Sequence, residues 1–283
     1  MNLGDSPKLE VPAARANHAG AVLGSHRGES PLRLRKTGRR VGVIDIGSNS
    51  VRLVIAEREE GRRTAGESAL GVLASPYRVL TDEKSTTRLA TGLDLTGKLD
   101  ARAMEQSAYA IAHMREIAAK SGVESEELSV VATCAVREAE NRAEFCELIR
   151  RWSGLRVKVI SAKREAKLAF DSVAAGFDLP SLEAGDKDTP KRSGAVGGLA
   201  VVDIGGGSTE IILTGRGKKA NNIKRIFPLP VGAVRITERF GGPDASSEVN
   251  FAAMRAWAKR VVARRVWEIE RRPAVMIGTG GTI

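Results

Sequence analysis

One short pattern occurs twice in this chain, and that repeat constrains the fold more than any other feature. Val43-Ile-Asp-Ile-Gly-Ser-Asn-Ser50 and Val201-Val-Asp-Ile-Gly-Gly-Gly-Ser208 share Asp-Ile-Gly and a serine three residues after the glycine. In the first copy, residues 41–46 and 51–56 are apolar runs on either side of the turn; in the second, residues 199–204 and 210–213 play those parts. Runs rich in β-branched residues around a Gly/Ser/Asn tip read as the two strands of a hairpin. Asp45 and Asp203 stand 158 positions apart (203 − 45), close to one domain length, so the repeat implies two related α/β halves. With 283 residues, the chain has room for both.

Between the hairpins, helical and extended patterns alternate, as layered sheets flanked by helices require. Residues 70–98 read as short strands and turns. Residues 99–120 read as a helix with Met104, Ala108, Ile111 and Ala118 on one face, closed by Gly122. His113 on that helix reads as a surface or core histidine. A strand over 128–133, a helix over 138–152, a strand over 157–160 and a helix over 164–177 follow. Residues 178–198, rich in Gly, Pro, Lys and Asp, read as a long loop, either a mobile excursion or part of a domain junction. The expected organisation is a disordered basic leader over 1–39, a first half over 40–170 and a second half over 171–283.

Composition narrows the chemistry. No apolar run approaches the roughly 18 residues that span a bilayer, and the first 30 residues argue against a secretory signal. Two cysteines, Cys134 and Cys146, cannot build a disulfide framework or a four-thiolate zinc site, and they read as reduced thiols of a cytoplasmic protein. Three histidines, two of them in the leader, are too few for a His-based zinc site and leave no partner for a serine triad. Catalysis is left to carboxylates, backbone amides, basic side chains and a metal. The net charge of +11 points to polyanions, although part of it sits in the leader. The leader has no aromatic residues for base stacking, which argues against nucleic acid. Trp152, Trp257 and Trp267 read as packing residues, and the basic stretch 253–272 as a solvated helix face.

The two glycine turns carry the functional signal. Glycine lets backbone approach a ligand closely, so successive N–H groups can converge on an anion. Ser48, Asn49, Ser208 and Thr209 add polar side chains at the same tips as Gly205, Gly206 and Gly207. Neither turn has the Gly-Lys-Ser/Thr ending of a P-loop. Two related hairpins, each with an aspartate at the end of its incoming strand, read as a phosphate clamp between two halves. Asp45, Asp203 and Glu210 flank the turns and are hard oxygen ligands suited to Mg²⁺ bound together with phosphate. A third glycine-rich turn over 277–283 follows a strand at 274–277, and a sequence that stops there is expected to be a piece of a longer protein.

Seven segments together resemble the exopolyphosphatase / guanosine pentaphosphate phosphohydrolase (Ppx/GppA) family of the actin-like ATPase superfamily. They are VGVIDIGSNSVRLVIAE (41–57), TRLATGLDLTGKL (87–99), VVATCAVREAENRAEF (130–145), ISAKREAKLAF (160–170), LAVVDIGGGSTEIIL (199–213), PLPVGAVRITERF (228–240) and VMIGTGGTI (275–283). The resemblance implies two actin-like (ribonuclease H-like) domains with a cleft between them, the second incomplete. It implies hydrolysis of the terminal phosphate of inorganic polyphosphate, or of the 5′ γ-phosphate of guanosine pentaphosphate (pppGpp), with Mg²⁺. By motif position, Glu165 matches the catalytic base. Asp203 and Glu210 match the carboxylates that hold metal and water. Ser48, Asn49, Arg137 and Gly205–Thr209 match the phosphate-binding groups. Where the family usually has glycine and an acidic residue before the base, this chain has Ala162-Lys163-Arg164, which is expected to surround Glu165 with positive charge. Other readings stay open: an ATP-dependent kinase or chaperone-type ATPase, against which the Arg137 and Glu165 motifs argue, and a non-catalytic polyphosphate or alarmone sensor. The expected partners are polyphosphate or pppGpp, with a homodimer left open and no membrane.

Overall fold

A computed structural model describes residues 38–58, 77–177, 198–215, 223–241, 247–266, 273 and 275–281. Residues 1–37 of the expected leader, residues 178–197 of the long loop and Trp267 lie outside these residues, whereas Arg39, placed in the expected disordered leader, is ordered by an ion pair with Glu127. In the first half, β1 (Arg40–Ile46), β2 (Ser50–Arg58), β3 (Tyr77–Thr86), β4 (Leu128–Ala132) and β5 (Val157–Val159) form a sheet in the order β3-β2-β1-β4-β5. In the second half, β6 (Leu199–Ile204), β7 (Thr209–Thr214), β8 (Ile223–Leu229) and β9 (Val275–Thr279) form a sheet in the order β8-β7-β6-β9.

The internal repeat is present in the topology. In both sheets an antiparallel meander is joined on its first strand by a later parallel strand: β1 with β4, β6 with β9. The correspondence reaches single residues. A register shift lies between Ile55 and Ala56 in the first meander and between Leu213 and Thr214 in the second, again 158 positions apart. Gly47 N donates to Ser50 O at 3.0 Å, and Gly205 N donates to Ser208 O at 2.9 Å, so the two turns close with the same bond.

Helices cover the sheets where apolar periodicity places them. Helix α1 (Leu93–Thr96) precedes α2 (Ala101–Lys120), which Asp100 caps by accepting from Ala103 N at 3.0 Å. Ala108, Ile111, Met114 and Ala118 of α2 are buried in the first core with Ile44, Leu53, Phe145 and Ile149. Met104 is partly buried beside them, and His113 is exposed. Most of the helix expected over 138–152 is present as α4 (Arg142–Ser153), and a break separates it from a short additional helix, α3 (Cys134–Glu138). The physical reason is tertiary. Glu140 N donates to Gly97 O, and the Asn141 amide exchanges two hydrogen bonds with the Leu99 backbone at 2.9 and 3.0 Å. These bonds hold the chain extended at Ala139 and break the helical ladder.

Helix α5 (Ala162–Gly176) starts at Ser161, whose hydroxyl accepts from Arg164 N. It crosses the expected boundary at 170/171 without a break. Its apolar face, Ala166, Phe170 and Val173, packs with Leu199, Val201 and Ile212 in the second core. The remaining helices are α6 (Ala233–Phe240) and α7 (Glu248–Arg265). No residue of α7 is buried, in keeping with a solvated basic face. Trp257 on α7 packs against Phe240, with Arg239 over its ring. Trp152, by contrast, is half exposed, so the packing reading does not hold there. No helix among the described residues is long and apolar enough to cross a membrane.

Candidate active site

The two glycine turns meet. A methyl placed on Gly206 would stand 3.2 Å from Ser48 Cβ and 3.5 Å from Asn49 N, and one on Gly207 would stand 2.5 Å from Ser48 Oγ and 3.0 Å from Cys134 Sγ. Neither glycine has a positive φ, so close approach, not backbone conformation, is what needs the missing side chain. Helix α6 binds the second turn from behind: Ala233 N donates to Gly205 O, and Val234 N and Arg235 N donate to Gly206 O.

A cleft of about 650 Å³ opens beside this contact. Its walls include Asp45, Ser48 and Asn49 from the first half, Glu165 from α5, and Asp203 with Gly205–Ser208 from the second. These sequence-predicted residues are brought together. Three others are not on the cleft wall. Thr209 is buried and donates its hydroxyl to Val231 O at 2.6 Å, so it braces the turn. Glu210, 1% exposed, lies opposite Asp203 on the neighbouring strand. Arg137 stands behind Glu165, with its Nη1 donating to Glu165 Oε2 at 2.8 Å and to Ile160 O at 3.0 Å. The structure therefore makes Arg137 a partner of the Glu165 carboxylate.

The position of Glu165 follows from its helix. α5 presents Glu165 to the cleft, while Lys163, Arg164 and Lys167 line a groove on its other side. The expected positive surroundings of Glu165 are supplied by Arg137, not by the Lys163-Arg164 pair. Burial raises the Glu165 carboxyl above the ordinary range; the Arg137 ion pair opposes this, Asp203 adds to it, and a hydrogen bond from Thr133 opposes it.

The other carboxylates crowd the same region. Asp45 is pushed up to about 6 by desolvation and by the charge of Glu165, with Arg52 opposing and Asp203 adding. Glu210 is pushed up to about 7, first by burial and then by Glu165. Desolvation also raises Asp203. Glu210 Oε1 has no hydrogen-bond partner among the described residues. Such a cluster stores repulsion that a cation would relieve. Among the described residues, however, no three His, Cys, Asp or Glu side chains converge into a metal cage. The expected Asp45, Asp203 and Glu210 triad is thus not a preformed site. Asp45 and Asp203 on the cleft wall do suit Mg²⁺, which is commonly held by one or two carboxylates and completed by substrate phosphate oxygens and water.

This crowding has a measurable consequence. Asp45 and Glu210 bind protons more tightly folded than unfolded, so the stability they contribute is full below their ordinary values and is lost as pH rises through about 6 to 7. Glu210→Gln mimics the protonated form. At pH 8 without divalent cations its Tm is expected to exceed the parent's by roughly 5 °C, and the two converge near pH 4, below the ordinary carboxyl value. Thermal melts at both pH values check this, and a variant less stable than the parent at pH 8 contradicts it.

Arg235 was not singled out from the sequence, although it lies inside a segment quoted for the resemblance. From α6 in the second half it donates through Nε to Gly207 O at 3.0 Å, through Nη1 to Asp94 at 2.7 Å and through Nη2 to Glu138 at 2.5 Å. Gly92 N donates to Glu238 on the same helix. α6 thereby ties the second turn to α1 and α3 of the first half.

Comparison with known proteins agrees with this architecture. Residues 69–184 and 192–283 match the Ppx/GppA phosphatase family. The chain belongs to that family. Exopolyphosphatase 1 of Mycobacterium leprae is 28% identical over 222 residues, which cover 77% of this chain and 54% of that protein. The chain thus spans about half the length of the curated relatives it matches. A solved Ppx/GppA structure from Aquifex aeolicus is 30% identical with a TM-score of 0.57, covering 86% of this chain and 67% of that one. An exopolyphosphatase structure from Cytophaga hutchinsonii is 25% identical with a TM-score of 0.63, covering 85% and 66%. The Ppx/GppA fold accounts for the two α/β halves and the cleft between them.

Proposed function

We infer that this chain carries the catalytic cleft of an exopolyphosphatase, removing the terminal phosphate of inorganic polyphosphate by hydrolysis. The observation that carries this reading is Glu165, held at 2.8 Å by Arg137 and presented to a cleft whose far wall is the pair of apposed glycine turns. In this reading the turns and the Ser48 and Ser208 hydroxyls hold phosphate oxygens. Glu165 accepts the proton of an attacking water as the new phosphorus–oxygen bond forms, and the bridging oxygen leaves with the shortened chain. Burial raises the proton affinity of this carboxyl above that of an exposed one, which strengthens it as a base. Asp45 and Asp203 would hold Mg²⁺, which when bound would supply charge neutralisation for the phosphoryl oxygens. The names of the relatives in Mycobacterium leprae and Cytophaga hutchinsonii support polyphosphate as the substrate.

The test is phosphate release by the purified chain from long-chain polyphosphate and from pppGpp, with Mg²⁺ and with a chelator. Mg²⁺-dependent release from polyphosphate is expected. Release from pppGpp alone would shift the assignment to the nucleotide. Tight polyphosphate binding with no release from either would make the protein a sensor.

A further inference from the structure

The edge strand of the first sheet carries polar side chains where its neighbour carries core. Val51 and Leu53 on β2 are fully buried in the core that α2 covers, and the residues paired with them on β3 are Ser85 and Glu83. Directly opposed residues on neighbouring strands share a face of the sheet, so Ser85 and Glu83 lie on the α2 side. Lys84 between them alternates to the other face, where its partner Arg52 lines the cleft. With no apolar side chain from β3 to close it, the space between β3 and α2 is a cavity of about 590 Å³, the size of a small-molecule site. The buried Ala110 and Met114 of α2 give it an apolar floor. Tyr109 of α2 and Trp152 of α4 stand at its rim, 72% and 48% exposed.

Three polar groups of this cavity have no partner among the described residues. Glu83 and Glu105 are exposed carboxylates with neither an ion pair nor a hydrogen bond. Thr87 differs in kind: it is 5% exposed, and its Oγ1 is buried without a hydrogen-bond partner. A buried hydroxyl left unpaired is destabilising. Nor is the residue free to move toward water, because Thr87 N donates to Asn49 O at 3.1 Å and so belongs to the support of the first glycine turn.

We propose that this cavity is a binding site for a small organic amine in its ammonium form, with an apolar body between Tyr109 and Trp152 and the charged head among Glu83, Glu105 and Thr87. Carboxylates and a hydroxyl oxygen all accept hydrogen bonds from an ammonium, and aromatic faces attract a cation. An anionic ligand meets two carboxylates instead, since the one lysine of the lining alternates to the opposite face of the sheet. The cavity lies on the α2 side of the first sheet and the cleft on the other, so the site stands independently of the polyphosphate reading.

The deciding experiment is titration calorimetry of the full chain at neutral pH with phenethylamine, phenethyl alcohol and phenylacetate, which share one apolar body and differ in the charge of the head. The amine is expected to bind about tenfold tighter than the alcohol, and the carboxylate more weakly than either. The double variant Glu83→Gln/Glu105→Gln, altered only at exposed positions, is expected to lose the preference for the amine over the alcohol. Thr87→Val is expected to weaken amine binding about 3–10-fold while melting no lower than the parent, because a methyl replaces a hydroxyl that the empty cavity leaves unpaired. Equal affinity for the three compounds, or no binding of the amine at millimolar concentration, overturns the site. Amine binding undiminished in the double variant places the amine elsewhere on the chain and overturns it too. A lower Tm in Thr87→Val with amine affinity unchanged shows a hydroxyl held by structural water and removes Thr87 from the head-group contacts.

Discussion

Glu165→Gln is expected to lower the rate of phosphate release from polyphosphate by about 10²–10⁴-fold, the usual contribution of a general base, with polyphosphate binding retained. The substitution keeps the shape and a hydrogen-bond acceptor for Arg137 at 2.8 Å but removes the group that takes the proton. It also removes one negative charge from a cleft shared with Asp45 and Asp203, so affinity for the polyanion holds or rises. Steady-state kinetics beside equilibrium binding separates the two effects. A variant that turns over near the parent rate removes Glu165 from the role of base. Arg137→Gln completes the argument. Because Arg137 reaches Glu165 and the Ile160 carbonyl from behind the cleft wall, its loss acts chiefly on the base. A fall in kcat of about 10–100-fold with a smaller change in KM is expected.

Much of this site is readable in the sequence because the repeat states it twice. Asp-Ile-Gly after an apolar run fixes a strand, a turn and the carboxylate at the strand's end, and two copies imply two halves facing each other. The charge difference within the repeat is equally legible, since Arg52 and Glu210 occupy corresponding positions 158 apart. What periodicity does not reveal is contact between distant segments. The break between α3 and α4 comes from the Asn141 amide meeting the Leu99 backbone, a partner 42 residues away. The bracing by Arg235 depends on Asp94 and Glu138, 141 and 97 residues distant. The motif position of Arg137 names its place in the chain, but only the fold shows that its guanidinium turns toward Glu165. The membership of α5 in the second core was hidden for the same reason. Its Ala166, Phe170 and Val173 face is apolar on any reading, and which sheet it covers is decided by packing.

Gly232→Ala is expected to damage the site through crowding of the second glycine turn. Gly232 is buried just before α6, and its φ of −151° is ordinary extended backbone, so strain at its own bonds is not the issue. The missing side chain matters because a Cβ there would collide with the Gly206 carbonyl oxygen and stand 2.5 Å from the Gly206 carbonyl carbon and 2.6 Å from that of Gly207. These neighbours are backbone, which cannot swing aside as a flexible side chain does. Relief therefore requires the turn to retreat from α6 or α6 to retreat from the turn. Either movement stretches the bonds from Ala233 N and Val234 N to the turn, at 3.0 and 2.8 Å, and the Arg235 bond to Gly207 O. It also alters the fit of Gly206 and Gly207 against Ser48, on which the two-sided grip on phosphate depends. Overpacking of this kind costs about 1–3 kcal/mol of stability, and a misplacement near 1 Å can reduce turnover about 10²-fold. The expected variant is folded, melts several degrees lower and releases phosphate at roughly one hundredth of the parent rate. Ala233→Gly, which adds no atom on the same segment, serves as the control and stays within about threefold of the parent rate if crowding against the turn is the cause. Parent-like turnover in Gly232→Ala would show that the glycine turn tolerates displacement and that its contact with α6 does not set the geometry of the cleft.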